Sequence, residues 1–397
     1  MTNADLIALT QAHELGVYAR YPAAFVRGAG CRLLDADGKA YLDLFAGLAV
    51  TNLGHAHPAI VQAIQEQAAR LLHVSNLYYT QPKARLLELL CARSFADRVF
   101  LSNSGAEANE AALKIARRYG SGRRGGRYEI IATHGSFHGR TFATLTATGQ
   151  EKHRVGFDPL LPGIRLAPFG DVEALAREIT DRTIAVMLEP IQGEGGVVVP
   201  APGFLREVRE LCDRHELLLI LDEVQTGIGR TGKLFAHEHA GITPDILTLA
   251  KALGSGLPIG ATLARAEVAG EMGPGSHGST FGGNPVACAA AIRTLEVLLD
   301  GGVLENCGAV GPYLGERLRR IAASCGAVRG VRGLGLMWGM ELDRPARPVV
   351  EACLQEGLVI NVTAERVLRF VPPLIISRAE IDEGCAILER VLGKLLG

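Results

Sequence analysis

Two apolar runs near the middle of the chain end in side chains that resist burial. LLLILD at 217 to 222 closes on Asp222, and ILTLA at 246 to 250 leads directly into Lys251 and the glycine-rich bend ALGSGLPIG. An acid at the end of a buried strand lies at the carboxyl edge of a sheet, where open α/β folds bind ligands. Alone, Asp222 reads equally well as a cap on the next helix, and a lone strand-end lysine usually snorkels to solvent. The pair is more specific than either member. An amine that can form an imine and a carboxylate that keeps a pyridine nitrogen protonated are what pyridoxal phosphate demands.

Two further stretches suit the same ligand. LSNSGAEANEAALKIAR runs from a strand through a small polar turn into a helix that starts near Gly105 and Ala106. Free N–H groups at a helix start, with the helix dipole, favour a phosphate dianion. Ser104 as N-cap with Glu107 three residues on also makes a capping box, and both readings can hold together. In SFHGRT, Phe137 can stack on a flat heteroaromatic ring and Arg140 offers a planar fork for a carboxylate. Taken alone, these two read as core filling and a surface cation.

The elements that must position these residues are legible from periodicity. RVFLS (98 to 102), YEIIA (128 to 132), IAVMLE (184 to 189), LLLILD and ILTLA read as buried strands of a mostly parallel sheet. Between them, 106 to 119 and 204 to 216 show apolar residues at helical spacing with charges opposite. FVRGAGCRLLDADGKAYLDL reads as a hairpin turning at Asp35, Asp37 and Gly38. The last hundred or so residues mix a helix near 285 to 300 with Gly-rich turns and short strands, the pattern of a smaller α+β domain.

Composition narrows the function. A chain of 397 residues, 48% apolar and 21% charged, is a globular protein of two or three domains. Its net charge of -1 gives no field to attract nucleic acid or anionic lipid, so neither partner is expected. Eight cysteines are scattered singly with no C-x-x-C pair, which indicates neither a metal site nor a disulfide framework and points to a reducing cytoplasm. MTNADLIALTQAHELG carries Asp5 and Glu14 and has no apolar h-region, so neither a signal nor a transit peptide is expected. No apolar run is long enough for a membrane span.

With SGAEANE, FHGRT, EPIQGEGG, DEVQTGIGRTG, LAKALGSGLPIG and STFGGNP in this order, the sequence resembles the class III (subgroup II) pyridoxal-phosphate aminotransferases. The likeness extends through LGHAHPAIVQAI and HVSNLYY to VLRFVPPLII, nearly the whole chain, and is nearest to the acetylornithine branch. It implies an α/β fold, type I of the PLP-dependent transferases. A large domain with a mostly parallel central sheet (55–290) would accompany a small α+β domain built from 1–54 and 291–397. It also implies a homodimer with shared active sites.

By the same resemblance Lys251 is the Schiff-base lysine, Asp222 the pyridinium partner and Gln225 a donor to the phenolic oxygen, with Glu223 and Val224 beside them. Phe137 stacks on the ring. The phosphate is held by Ser104, Gly105 and Ala106 and by the partner subunit's Thr280, and Ser279 contacts substrate. Arg140 binds the α-carboxylate of the amino donor and Arg369 that of glutamate or 2-oxoglutarate. Glu194 pairs with Arg369 and releases it for the dicarboxylate. Ornithine aminotransferases have a tyrosine where Leu48 stands here, which favours an acylated amine over free ornithine. The implied reaction is transfer of the δ-amino group of N2-acetyl-L-ornithine to 2-oxoglutarate. Succinyldiaminopimelate, an acylated lysine precursor, 4-aminobutyrate and ornithine stay open as donors, and a catalytically silent cofactor-binding protein is the competing class.

Overall fold

A computed structural model describing residues 1–396 shows three sheets. In chain order the strands are β1 (Phe25–Ala29), β2 (Arg32–Asp35) and β3 (Ala40–Asp43). They are followed by β4 (Arg98–Ser102), β5 (Glu129–Thr133), β6 (Ile164–Ala167), β7 (Thr183–Leu188), β8 (Leu218–Asp222), β9 (Ile246–Leu249) and β10 (Gly260–Ala264). The last are β11 (Val328–Leu334), β12 (Met337–Leu342), β13 (Leu358–Val359), β14 (Asn361–Thr363) and β15 (Val367–Phe370).

The central sheet has seven strands in the order β4-β10-β9-β8-β7-β5-β6. Neighbours from β9 through β6 pair in parallel, and β10 runs antiparallel to both β4 and β9. β7, β8 and β9 are buried along their whole length, as expected of strands covered on both faces. Each run expected to be a strand is one within a residue or two. β6 and β10 were not expected: IRLA is interrupted by Arg165, and GATLA is too small in side chain to read as an apolar run.

Helices cover the sheet. Gly105–Arg123 buries an alanine face (Ala108, Ala111, Ala112, Ala116) against β9 and β10, and small side chains there let helix and sheet approach closely. Phe204–Arg214 and Pro285–Asp300 are helical where periodicity places them. No helix among the described residues is long and apolar enough to cross a membrane.

The segment around Asp35 and Gly38 is the expected hairpin, β2 with β3. A further strand, β1, adds to it because Gly30 takes φ +56° and turns the chain before β2. The sheet β1-β2-β3-β13 joins the two chain ends, with β13 pairing in parallel with β3. β11-β12-β15-β14 forms the third sheet and carries Arg369 on β15.

Candidate active site

The carboxyl ends of β4, β7, β8 and β9 meet around a cavity of about 400 Å³. Ser104, Gly105, Ala106, Phe137, Arg140, Glu194, Asp222, Val224, Gln225 and Lys251 all line it, gathered from loops that follow different strands.

Asp222 ends β8 with its carboxylate buried. Oδ2 accepts from Asn109 Nδ2 and His138 Nδ1, both at 2.7 Å, and Oδ1 accepts from the Val224 N–H at 3.0 Å. Thr248, level with Asp222 on β9, donates its hydroxyl to Asn109 Oδ1 at 2.7 Å. The acid is thus fixed in direction from three sides. Burial opposes a charge on His138, but the hydrogen bond and charge of Asp222, with Glu189, outweigh it and raise the imidazole's pKa.

Lys251 lies two residues beyond β9, where Ala250 breaks the strand and Lys251 itself adopts φ +42°. A left-handed backbone at a residue with a Cβ costs about 1–3 kcal/mol and persists only where the surroundings enforce it. Burial is the largest influence on the amine and lowers its pKa. Arg369 adds to that effect, while Glu194, Asp222 and Glu189 oppose it. The amine therefore sheds its proton more readily than a surface lysine, which both imine formation and proton transfer require.

The helix start at 104 to 106 is shaped by close contact. Ser104 Oγ accepts from the Glu107 N–H at 3.2 Å, and the first-turn N–H groups have no intrahelical partner. A Cβ on Gly105 would come within 2.7 Å of Val224 Cγ1, so only glycine lets the β8 loop and this helix start touch. Arg140 lies over the Phe137 ring, its guanidinium carbon 5.3 Å from the centroid. Arg369, 1% exposed and not itself a wall residue, pairs with the wall residue Glu194 at 2.5 Å. Gln225 links them: its amide nitrogen donates to Glu194 Oε1 at 3.4 Å and its oxygen accepts from Arg369 Nη1 at 3.3 Å. Burial pushes the Glu194 carboxyl up, but the charges of Arg369 and Lys251 with the hydrogen bonds from Arg369 and Gln225 bring it down to about 2.

Besides Arg369, three expected residues are not wall residues of the cavity. Glu223 turns away from the cavity: its carboxylate accepts from the Ala236 and His237 N–H groups and from His237 Nδ1, capping the turn at 236 to 239. Thr280 lines a separate cleft with His73 and Tyr78. Ser279 stands just outside, its hydroxyl accepting from Asn103 Nδ2 at 3.1 Å, and Asn103 is a wall residue. Leu48 is not a wall residue either. Ala46, Gly47, Leu48 and Ala49 all take positive φ, and this tight coil brings Val50 to the cavity instead, so the wall there is still apolar.

Sequence reasoning missed His138, Asn109, Thr248 and Glu189. Glu189 follows β7 and is buried in the cavity wall, with Oε2 accepting from the Phe137 N–H at 3.1 Å and Oε1 from the Gly193 N–H at 3.2 Å. Burial lifts its carboxyl to about 7, with Asp222 adding to the rise and His138 and the two N–H donors resisting it. Its folded pKa lies above the ordinary 4.5, so its contribution to stability is full below that value and is lost as pH rises through about 7. Glu189→Gln removes that loss. Its stability relative to the parent is expected to improve by up to about 3 kcal/mol between about pH 5 and pH 8, measured by urea unfolding. A difference independent of pH would show that the carboxylate ionises freely in the fold.

These residues fit pyridoxal phosphate. A half-buried amine and a buried carboxylate face one cavity, an aromatic ring lines it, and an open helix start and a serine hydroxyl offer a phosphate cradle. Comparison with known proteins points the same way. The family model for class-III aminotransferases matches residues 17–392. An acetylornithine aminotransferase of Methanothermobacter thermautotrophicus is 49% identical over 395 residues, covering all of both chains. A succinylornithine transaminase/acetylornithine aminotransferase of Pseudomonas aeruginosa is 48% identical, covering 94% of each. The crystal structure of the ornithine aminotransferase from Toxoplasma gondii superposes with a TM-score of 0.96 at 35% identity, covering 100% of this chain and 96% of that one. With its motifs folded into one such cavity, this chain belongs to the class-III aminotransferases and is a pyridoxal-phosphate-dependent enzyme of that family.

Proposed function

We propose that the enzyme transfers the δ-amino group of N2-acetyl-L-ornithine to 2-oxoglutarate, giving N-acetyl-L-glutamate 5-semialdehyde and L-glutamate, a step of arginine biosynthesis in the cytoplasm. The observation that carries this reading is the pairing of Arg369 with Glu194 while Arg140 has no carboxylate partner among the described residues. A donor that presents its δ-amine needs one arginine for its distant α-carboxylate, and Arg140 is free for it. The second arginine would be a surplus positive charge, and Glu194 neutralises it. For a dicarboxylate acceptor Glu194 swings away, and Arg369 and Arg140 each grip one carboxylate. Gln225 bridges the pair and supports either arrangement.

When bound, pyridoxal phosphate supplies an aldehyde that condenses with amines and a protonated ring that draws off carbanion charge. Lys251 would hold the cofactor, and as a neutral base its amine would take the proton from the δ-carbon and return it later in the transfer. Asp222 keeps the ring nitrogen protonated while His138 and Asn109 hold Asp222 in line. Acylation of the donor's α-amine prevents the product aldehyde from cyclising onto it, and the apolar wall at Val50 suits an acyl group better than a free ammonium.

The working unit is proposed to be a homodimer. Leu72, Leu77, Tyr78, Tyr79 and Phe281 are exposed together with the cleft that holds Thr280, an apolar surface suited to a second copy. Thr280, outside its own chain's Lys251 cavity, would then serve the phosphate of the other site.

The function is tested by kcat/KM across acetylornithine, succinyldiaminopimelate, an acylated lysine precursor, 4-aminobutyrate and ornithine, each with 2-oxoglutarate. Acetylornithine is expected among the best donors, and a poor rank for it overturns the reading. A purified protein that is yellow but does not bleach on adding any donor would be a silent binder. Arg369→Lys loses a bidentate grip. It is expected to raise the KM for 2-oxoglutarate about 10- to 100-fold with little change for the donor, a loss of roughly 1.5–3 kcal/mol in one charged hydrogen-bonded contact.

A further inference from the structure

Arg230 heads the largest fully buried side chains of the described residues, yet no carboxylate pairs with it. Its acceptors are all neutral oxygens: Nη1 donates to the carbonyls of Leu336 at 2.9 Å and Pro372 at 2.5 Å, and Nη2 to Asn52 Oδ1. The Arg230 carbonyl in turn accepts from the Leu336 N–H at 3.0 Å. Asn52 extends the knot, donating Nδ2 to the Ile228 carbonyl at 2.9 Å, while its own carbonyl accepts from the Leu374 N–H at 2.6 Å.

This knot ties together four stretches distant in sequence. Asn52 comes from the N-terminal segment, and residues 228 to 230 continue the loop that carries Asp222 and Gln225. Leu336 is the turn between β11 and β12, and Pro372 to Leu374 follow β15. Arg369 sits on β15 between Gly339 of β12 and Asn361 of β14, and two of these three strands, β12 and β15, are anchored to Arg230 just beyond it. Gln225, on the loop that leads to Arg230, is one of three residues bonded to the Arg369 guanidinium, with Glu194 and Asn361.

Burial pulls the Arg230 pKa down to about 10 against the opposing charges of Cys307 and Asp43, and its fork satisfies three buried acceptors that an apolar side chain would leave stranded. A planar fork with fixed donor directions does what an apolar group does not: it sets three oxygens at defined angles. We propose that Arg230 is a positioning residue for the acceptor half of the reaction, holding Arg369 in register with Gln225 and Glu194. The inference rests on the reading of Arg369 as the acceptor's carboxylate site.

The test compares Arg230→Met, Arg230→Lys, Asn52→Leu and Arg369→Lys as holoenzymes, following each half-reaction separately by rapid mixing. Arg230→Met is expected to raise the KM for 2-oxoglutarate about tenfold, with the donor half-reaction changed less than about twofold and the visible cofactor band retained. Arg230→Lys keeps the charge but not the fork and should recover only part of that loss. Combining Arg230→Met with Arg369→Lys should add little, since both act on one contact. Asn52→Leu, which removes one of the three acceptors and keeps the arginine, should shift the same KM about threefold, so the question is decided even where Arg230→Met does not fold. If Arg369→Lys leaves the KM for 2-oxoglutarate unchanged, the two-arginine reading fails. If Arg369→Lys raises it but Asn52→Leu and the Arg230 variants alter both half-reactions equally, or neither, Arg230 is only structural and the proposal is overturned.

Discussion

Lys251→Ala is expected to abolish the visible absorption of the lysine-linked cofactor and to lower turnover roughly 10⁴-fold or more, since in the proposed mechanism one side chain would supply both the covalent link and the general base. Its effect on folding should be small. The amine makes no hydrogen bond among the described residues, and burial already disfavours its charge, so its removal leaves no partner stranded. Circular dichroism should therefore be unchanged while colour and turnover vanish together. Lys251→Arg keeps a cation in the same place but has no nucleophilic amine, and it should be as inactive as the alanine variant. Retention of both colour and turnover in either variant would show that another amine holds the cofactor.

Lys251 and Asp222 are legible in the sequence because each interrupts an apolar run at its end. That rule depends on neighbours along the chain and needs no knowledge of the fold. Applied without exception it also finds Glu189, which closes IAVMLE just as Asp222 closes LLLILD. His138, Asn109 and Thr248 are different. Their roles exist only because β9 lies beside β8 and one helix crosses behind both, bringing together residues up to 139 positions apart. The available signal was chemical: Asn109 is an amide on a largely apolar, alanine-rich face, and such a group must have a partner.

The same contrast separates the parts of the fold. β7, β8 and β9 announce themselves as aliphatic runs because both faces are covered. β10 does not, because its glycine and alanines are there to let β4 and the helix Gly105–Arg123 approach. A Cβ on Gly260 would come within 2.3 Å of the Ser104 carbonyl oxygen. What makes β10 fit is the absence of side chain, and apolar periodicity cannot register that. Glu223 shows the limit of adjacency in sequence. It adjoins Asp222 in the sequence, but alternation along the extended chain points it to the opposite side, where His237 and two N–H groups take its charge.

Asp222→Asn is expected to lower kcat on the order of 10³-fold while the protein stays coloured, because in the proposed mechanism Lys251 would still hold the cofactor. The loss has two sources with different remedies. First, an amide cannot keep the ring nitrogen protonated, so the ring no longer draws off charge as the δ-carbon loses its proton. Second, the Asp222 oxygens accept from donors on both sides, Asn109 and His138 at Oδ2 and Val224 at Oδ1. An amide has one oxygen, so one of these donor sets faces an NH2 group at a cost of about 1–3 kcal/mol in stability. A cofactor analogue methylated on the ring nitrogen carries a fixed positive charge and supplies the first function without the second. It should restore much of the rate in Asp222→Asn, leave the stability deficit in place, and give no benefit to the parent enzyme. If the analogue restores nothing, Asp222 acts through the hydrogen-bond frame it shares with His138 and Asn109 and not through the charge of the ring. If the variant instead turns over at the parent rate, the carboxylate at the end of β8 has no part in the chemistry.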